Sequence, residues 1–242
     1  MKVIFVKDYD EMSDKAYEFV VQAIEENESP VVGITTGGTP RGLIQRIVEG
    51  VNSKSLDISK TTMLNLDEYI GPNEAVYSAK TYMYDNLYDK LIVKPKRIFM
   101  PNGAAEDLDA EVQRYNEILN QHPRDIQICG LGTNGHIGAN EPGTQFDSTT
   151  FVADHAETTI ESTMNEYGIS REEAPTKMLT QGFKEILAAK QVVVFVSGSH
   201  KAQAVKAVLE GPVTTDWPAT NFRDKDNVTF IIDEKAAALL SK

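Results

Sequence analysis

The chain carries seven short runs rich in β-branched and aromatic residues, and between them the apolar residues fall at helical spacing. The runs are KVIFV (2–6), PVVGITT (30–36), TTMLNLDEY (61–69), RIFMP (97–101), IQICGLG (126–132), VVVFVSG (192–198) and VTFIID (228–233). Several are apolar at consecutive positions, the mark of strands buried on both faces. Met12, Ala16, Phe19, Val20, Ala23 and Ile24 share one helical face; Leu43, Ile44, Ile47 and Val48 share a second. Leu108, Val112, Tyr115 and Leu119 form a third, and Ala202, Val205, Val208 and Leu209 a fourth. Strands apolar on both sides that alternate with amphipathic helices predict a mainly parallel sheet, and right-handed crossovers make it a doubly wound α/β fold with helices on both faces.

With 242 residues, 41% of them hydrophobic, the chain has material for one sizeable core, so a single domain over 1–242 is expected. Residues 138–175 are polar and less periodic, and are expected to form a lid or insertion. There is no internal repeat and no low-complexity tract. No stretch approaches the roughly 20 apolar residues of a membrane span, and the N-terminus has no secretory pattern, so a cytoplasmic protein without membrane partners is expected. A net charge of -12 argues against nucleic acid as a partner, while leaving room for a small anion held locally. The one cysteine, Cys129, lies inside an apolar run and reads as a buried strand residue.

In a sheet of this kind ligands bind where strands run out into helices, and three polar motifs fall at such ends. The first is TTGGTPRG (35–42). Gly37 and Gly38 let the backbone approach a ligand, Thr36 and Thr39 offer hydroxyls, and Pro40 suits a first helical turn whose free amides attract phosphate. Its spacing matches neither the dinucleotide glycine pattern nor a Walker loop, so a nucleotide is not expected. The second is NLDEYIG (65–71), where Asp67 and Glu68 adjoin on an extended segment. Their side chains must diverge, so only one can enter a given pocket, and a carboxylate there can act as a base on a carbon-bound proton. The third is GLGTNGHIGANEPG (130–143), whose glycines surround His136. An imidazole moves protons near neutrality, Glu141 can orient it, and Asn134 or Asn140 can fix its tautomer.

TTGGTP, NLDEY, GLGTNGHIGANEPG and SGSHKAQAVKAVLEG, in this order and over nearly the full length, resemble the glucosamine-6-phosphate deaminase (isomerase) family. The resemblance implies a Rossmann-like fold and conversion of an aldose amino-sugar phosphate, with water, to fructose 6-phosphate and ammonia, with no metal or organic cofactor. It implies that Asp67 moves the proton from C2 to C1, and that His136, supported by Glu141 and Asn134, opens the sugar ring. The amides of residues 36–39 and the ammonium of Lys201 would hold the phosphate. 6-Phosphogluconolactonases share the fold but typically read GHTASLFP where this chain has GHIGANEP. A sugar-phosphate sensor without turnover is the remaining alternative, and it would have no need of Asp67 and His136.

The chain also departs from that family. Arginines that members carry in motifs resembling SRT and TRxANxR are absent: the matching stretches are STT (148–150) and TTIESTM (158–164), and no arginine lies between Arg124 and Arg171. The family's SY is Ser78 followed by Ala79, and the aromatic of GHIGFNEP is Ala139. Arg41, just after GGTP, is the candidate replacement for the lost phosphate clamp, with a surface role as the equal alternative. The altered shell admits galactosamine 6-phosphate as an alternative substrate. The missing SRT arginine and the short C-terminal part point to a monomer or small homo-oligomer without hexameric allostery.

Overall fold

In chain order the elements are β1 (Lys2–Val6), α1 (Tyr9–Glu25), β2 (Val31–Ile34), α2 (Arg41–Asn52), β3 (Thr62–Asn65), β4 (Asp67–Tyr69), α3 (Ala79–Asn86), β5 (Arg97–Phe99) and α4 (Leu108–Gln121). There follow β6 (Ile126–Gly130), β7 (Phe151–Asp154), α5 (Glu157–Tyr167), β8 (Lys177–Thr180), α6 (Phe183–Leu187), β9 (Gln191–Val196), α7 (Ala202–Glu210) and β10 (Val228–Asp233). They come from a computed structural model that describes residues 1–241.

Seven strands form one sheet in the order β1-β10-β9-β6-β2-β3-β5, and every neighbouring pair is parallel. The alternation of strand side chains explains why both faces must be covered. On β9, Val193 and Phe195 pack with α1 and α2, while Val192, Val194 and Val196 pack with α6 and α7 on the other side. A fully buried side chain of this size contributes about 1.5–3 kcal/mol, and Phe195 is fully buried. Cys129 is fully buried on β6, and burial pushes its thiol well above the usual range. The doubly wound, mainly parallel α/β architecture expected from the sequence is the one observed.

From β2 the chain proceeds to β3 and β5 on one side, then returns to β6 and proceeds to β9 and β10 on the other. The carboxyl ends of β2 and β6 therefore flank the switch point, where such sheets leave a crevice.

The sequence reading takes residues 61–69 as one strand, whereas the chain changes sheet at Leu66. Leu66 still donates to the Ile34 carbonyl (2.8 Å), but its own carbonyl accepts from the Gln181 amide (3.1 Å). From there β4 joins a second sheet, β4-β8-β7, antiparallel throughout, with Asp67 opposite Thr180. Residues 138–175, read as an aperiodic lid or insertion, contain β7 and α5. Only Ile160 and Thr163 of α5 are buried, so the helix has no apolar stripe for a sequence pattern to reveal. Pro40 is the cap residue of α2, with helical φ and ψ and its carbonyl accepting from the Ile44 amide (2.9 Å).

Candidate active site

At the switch point lies a cavity of about 240 Å³, small beside the roughly 300–1,000 Å³ of drug-sized sites. Its floor consists of turns leaving the large sheet, and its roof is one face of α5 with His155 and with Met178 of β8. Thr36, Gly37, Gly38, Thr39, Asp67, His136 and Lys201 all line it. Glu141, Asn134 and Arg41 stand behind or beside these residues.

The turn after β2 is held by its carbonyls. Tyr82 donates to the Gly37 carbonyl (3.0 Å) and Tyr9 to the Thr39 carbonyl (3.1 Å). Gly37 has φ +105°, a conformation that side chains other than glycine resist. Among the described residues, the amides of residues 36–39 donate to no protein acceptor. The helix that follows contributes less than its sequence suggests, because the Gly42 amide is taken by the Tyr9 hydroxyl (2.7 Å).

Asp67 and Glu68 divide as adjacent extended residues must. Glu68 turns away and accepts from the amides of Ala79 (2.7 Å) and Lys80 (2.8 Å), so it caps α3 and fills its own lone pairs. Asp67 turns into the cavity, where its Oδ1 is buried without a partner. Burial, and after it the charge of Glu68, push its carboxyl up to about 7. An orphaned buried carboxylate is costly to keep, and a site of proton transfer is one place where that cost has a use.

His136 sits on the glycine-rich turn after β6. A Cβ on Gly132 would lie 2.4 Å from the imidazole ring, so only glycine allows the ring its position. His136 Nδ1 is 2.8 Å from Asn134 Oδ1 and 3.4 Å from Glu141 Oε2. Two oxygen acceptors beside Nδ1 place the proton there and leave Nε2 as the basic nitrogen. Asn134 in turn donates to Glu141 Oε2 (2.7 Å), and Thr159 of α5 donates to Glu141 Oε1. Burial opposes the Glu141 charge, but its bonds to His136, Thr159 and Asn134 win and hold its carboxyl down to about 2.

Lys201 follows β9, at the end of a 3-10 turn, Ser199–Lys201, that leads into α7. Burial lowers its ammonium to about 8, opposed by the charge of Glu166. Arg41 lies off the cavity wall: its guanidinium is exposed and stands 3.9 Å from Glu166.

Apart from Met178, the roof falls within the 138–175 segment expected to form a lid or insertion, but the sequence reading named none of its lining residues as site residues. Thr158, Thr159, Ser162, Thr163 and Glu166 face the cavity from α5, and His155 precedes them. The signal was present as hydroxyls and a carboxylate at i, i+1, i+4, i+5 and i+8, one polar face of a helix. His155 Nδ1 lies 3.3 Å from the Pro175 carbonyl and its ring stands edge-on to Tyr69. Burial lowers its pKa, which favours the neutral ring. Among the described residues, no three His, Cys, Asp or Glu side chains gather as metal ligands would.

The fold and this cavity define a class: doubly wound α/β proteins with a small polar site at the sheet's switch point. Within that class, residues 8–231 match the family model described as glucosamine-6-phosphate isomerases/6-phosphogluconolactonase. The chain belongs to this family. It is 41% identical over 244 aligned residues to a glucosamine-6-phosphate deaminase of Latilactobacillus sakei, covering 100% of both chains. Identity to glucosamine-6-phosphate deaminase 1 of Bacillus subtilis is 39%, with 99% of each chain covered. A solved structure of a monomeric glucosamine-6-phosphate deaminase superposes with a TM-score of 0.94 at 38% identity, over 99% of this chain and 100% of that one. The 6-phosphogluconolactonase from Trypanosoma cruzi shares the fold, with a TM-score of 0.77 at 18% identity over 100% of this chain and 97% of that one.

Proposed function

We propose that this protein is a glucosamine-6-phosphate deaminase, releasing ammonia and fructose 6-phosphate from an aldose amino-sugar phosphate and water. The observation that carries the reading is the Asp67 carboxylate, buried in the cavity wall with one oxygen unpartnered and its carboxyl raised to about 7. A base tuned near the working pH is what abstraction of a carbon-bound proton requires. Full-length relatives at about 40% identity that carry the same activity in their names support it.

The steps follow from the residues. His136 Nε2 takes the O1 proton as the pyranose ring opens and returns a proton to O5, and Glu141 stabilises the imidazolium between these events. Asp67 then removes the C2 proton, giving an enolamine, and delivers it to C1. The resulting ketimine is attacked by water at C2 and expels ammonia. The phosphate lies against the amides of residues 36–39, with Lys201 as its counter-charge. No step calls on a metal or an organic cofactor. The site lies within one chain, which fits a monomeric or small assembly, and no described helix is long and apolar enough to cross a membrane.

Galactosamine 6-phosphate is the second substrate to test, because hydroxyls on α5 stand where the family's arginines are expected. Ammonia and ketose-phosphate release should be measured from both amino-sugar phosphates, with Asp67→Asn as control. Release from glucosamine 6-phosphate that the control lacks is expected. Release from galactosamine 6-phosphate alone would reassign the substrate, and silence on both from folded protein would overturn the deaminase reading.

A further inference from the structure

The cationic end of the cavity contains a carboxylate that a phosphate site should avoid. Glu166, in the last turn of α5, lines the cavity and is two-thirds buried, with its side chain 32% exposed. Its Oε1 is 3.9 Å from Arg41 Nη2. Lys201 lines the same cavity and has no carboxylate within ion-pair distance among the described residues. Burial raises the Glu166 carboxyl, while Arg41 first and Lys201 next pull it back. Glu166 is thus the anion paired with Arg41, and it lines the same cavity as Lys201. A phosphate dianion placed on the free amides beside Lys201 would meet that anion in a half-buried site, and like charges brought together there oppose binding strongly.

We propose that Glu166 is a specificity-determining residue that stands in for the ligand's phosphate in the empty cavity, and that a phosphorylated ligand held by Lys201 must displace it from beside Arg41. This rests on the reading that the substrate is a sugar phosphate. It accounts for two features that otherwise conflict. The chain lacks the family's arginines in this segment, yet a cation stands close by in Arg41, occupied in the empty state by Glu166. Displacement frees the Arg41 guanidinium to turn to the incoming anion, so a group too weakly charged to move Glu166 does not gain Arg41. The site then selects against unphosphorylated sugars by competition, a form of negative selection that a simple basic pocket lacks.

The test is binding of inorganic phosphate, measured by calorimetry on the full chain, for the wild type, Glu166→Gln and Glu166→Ala, with circular dichroism to check the fold. Removing the competing charge should tighten phosphate binding about fivefold or more in both variants. Glucosamine 6-phosphate, titrated in an Asp67→Asn background to prevent turnover, should show the same gain, and unphosphorylated glucosamine should show none. Unchanged or weaker phosphate binding in both variants would overturn the proposal, as would failure of phosphate to bind any of the three proteins. Neither readout needs catalysis, so a gain in phosphate affinity with no ammonia release would leave this role intact while removing the deaminase reading. Ammonia release with no gain would remove this role alone.

Discussion

The floor of the cavity is built from turns that leave β2, β6 and β9, together with the segment where β3 passes into β4, whereas the roof is one face of α5 with His155 and with Met178 of β8. The floor holds Asp67, His136 and Lys201, the groups that can move protons or carry charge to a substrate. The roof offers hydroxyls and the single carboxylate of Glu166. A parallel sheet fixes the ends of its strands through a ladder and two packed faces, and that rigidity suits groups whose chemistry depends on tenths of an ångström. A lone helix on a small antiparallel sheet has fewer neighbours to hold it.

If the floor carries the chemistry, the largest effect in the molecule belongs to Asp67. Asp67→Asn should cut kcat by roughly 10³-fold and abolish exchange of the substrate's C2 hydrogen with solvent; undiminished exchange would remove Asp67 from the reaction. The same substitution should stabilise the fold. The Asp67 carboxyl is raised from an ordinary 3.8 to about 7 in the folded chain. A raised carboxyl binds its proton more tightly when folded, so its contribution is present at low pH and is lost as pH rises from about 4 through about 7. Thermal unfolding at pH 8 should therefore show the variant melting above the wild type, and the difference should vanish near pH 4. In the wild type, kcat/KM should fall as pH drops through about 7, because the base must be ionised.

Glu141 tests whether the support behind the floor matters as much as the floor. Its charge, held down to about 2, persists across the working pH range and faces the His136 ring. Glu141→Gln keeps the shape and removes the charge that stabilises an imidazolium, so kcat should fall roughly 10²-fold with KM little changed. Lys201 should affect binding instead. Lys201→Ala should raise the half-saturating concentration of the phosphorylated sugar about tenfold, and an unchanged value would remove Lys201 from the phosphate site. In the wild type, that concentration should climb as pH passes about 8, where the ammonium loses its proton.

What the sequence disclosed follows the same division. Apolar runs at 31–34 and 126–130 could be read because burial on both faces leaves little choice of residue. The glycines at 37 and 132 could be read because a positive φ, or a ring 2.4 Å from a would-be Cβ, excludes other side chains. The break at Leu66 was hidden, since a strand that changes sheets keeps its local pattern and differs only in long-range partners such as Gln181. The roof could be read as a lid or insertion over 138–175, but its lining residues were hidden because α5 turns hydroxyls inward, and a polar face toward a cavity looks, in sequence, like a polar face toward water. Arg41 was read as the replacement clamp from its place after GGTP, but its pairing with Glu166 depends on residues 125 positions apart.

The smallest effect bears most directly on whether roof and floor are separate devices. Thr159 is the roof residue that touches Glu141, the proposed support of His136, its hydroxyl donating to Glu141 Oε1 while Asn134 donates to Oε2. Thr159→Val keeps the branched shape and removes that donor, and a hydrogen bond to a charged group is worth about 1.5–3 kcal/mol. Part of that loss should appear as a higher Glu141 pKa and a weaker hold on the His136 ring. If α5 is only a cover, Thr159→Val should raise KM and leave kcat alone. If α5 belongs to the acid–base unit, kcat should fall about threefold to tenfold with KM steady, the latter being expected from the geometry. A kcat effect would also couple closure to chemistry: His136 would be fully supported only when α5 is seated, and a substrate that failed to hold the roof down would meet a floor with its imidazole poorly held.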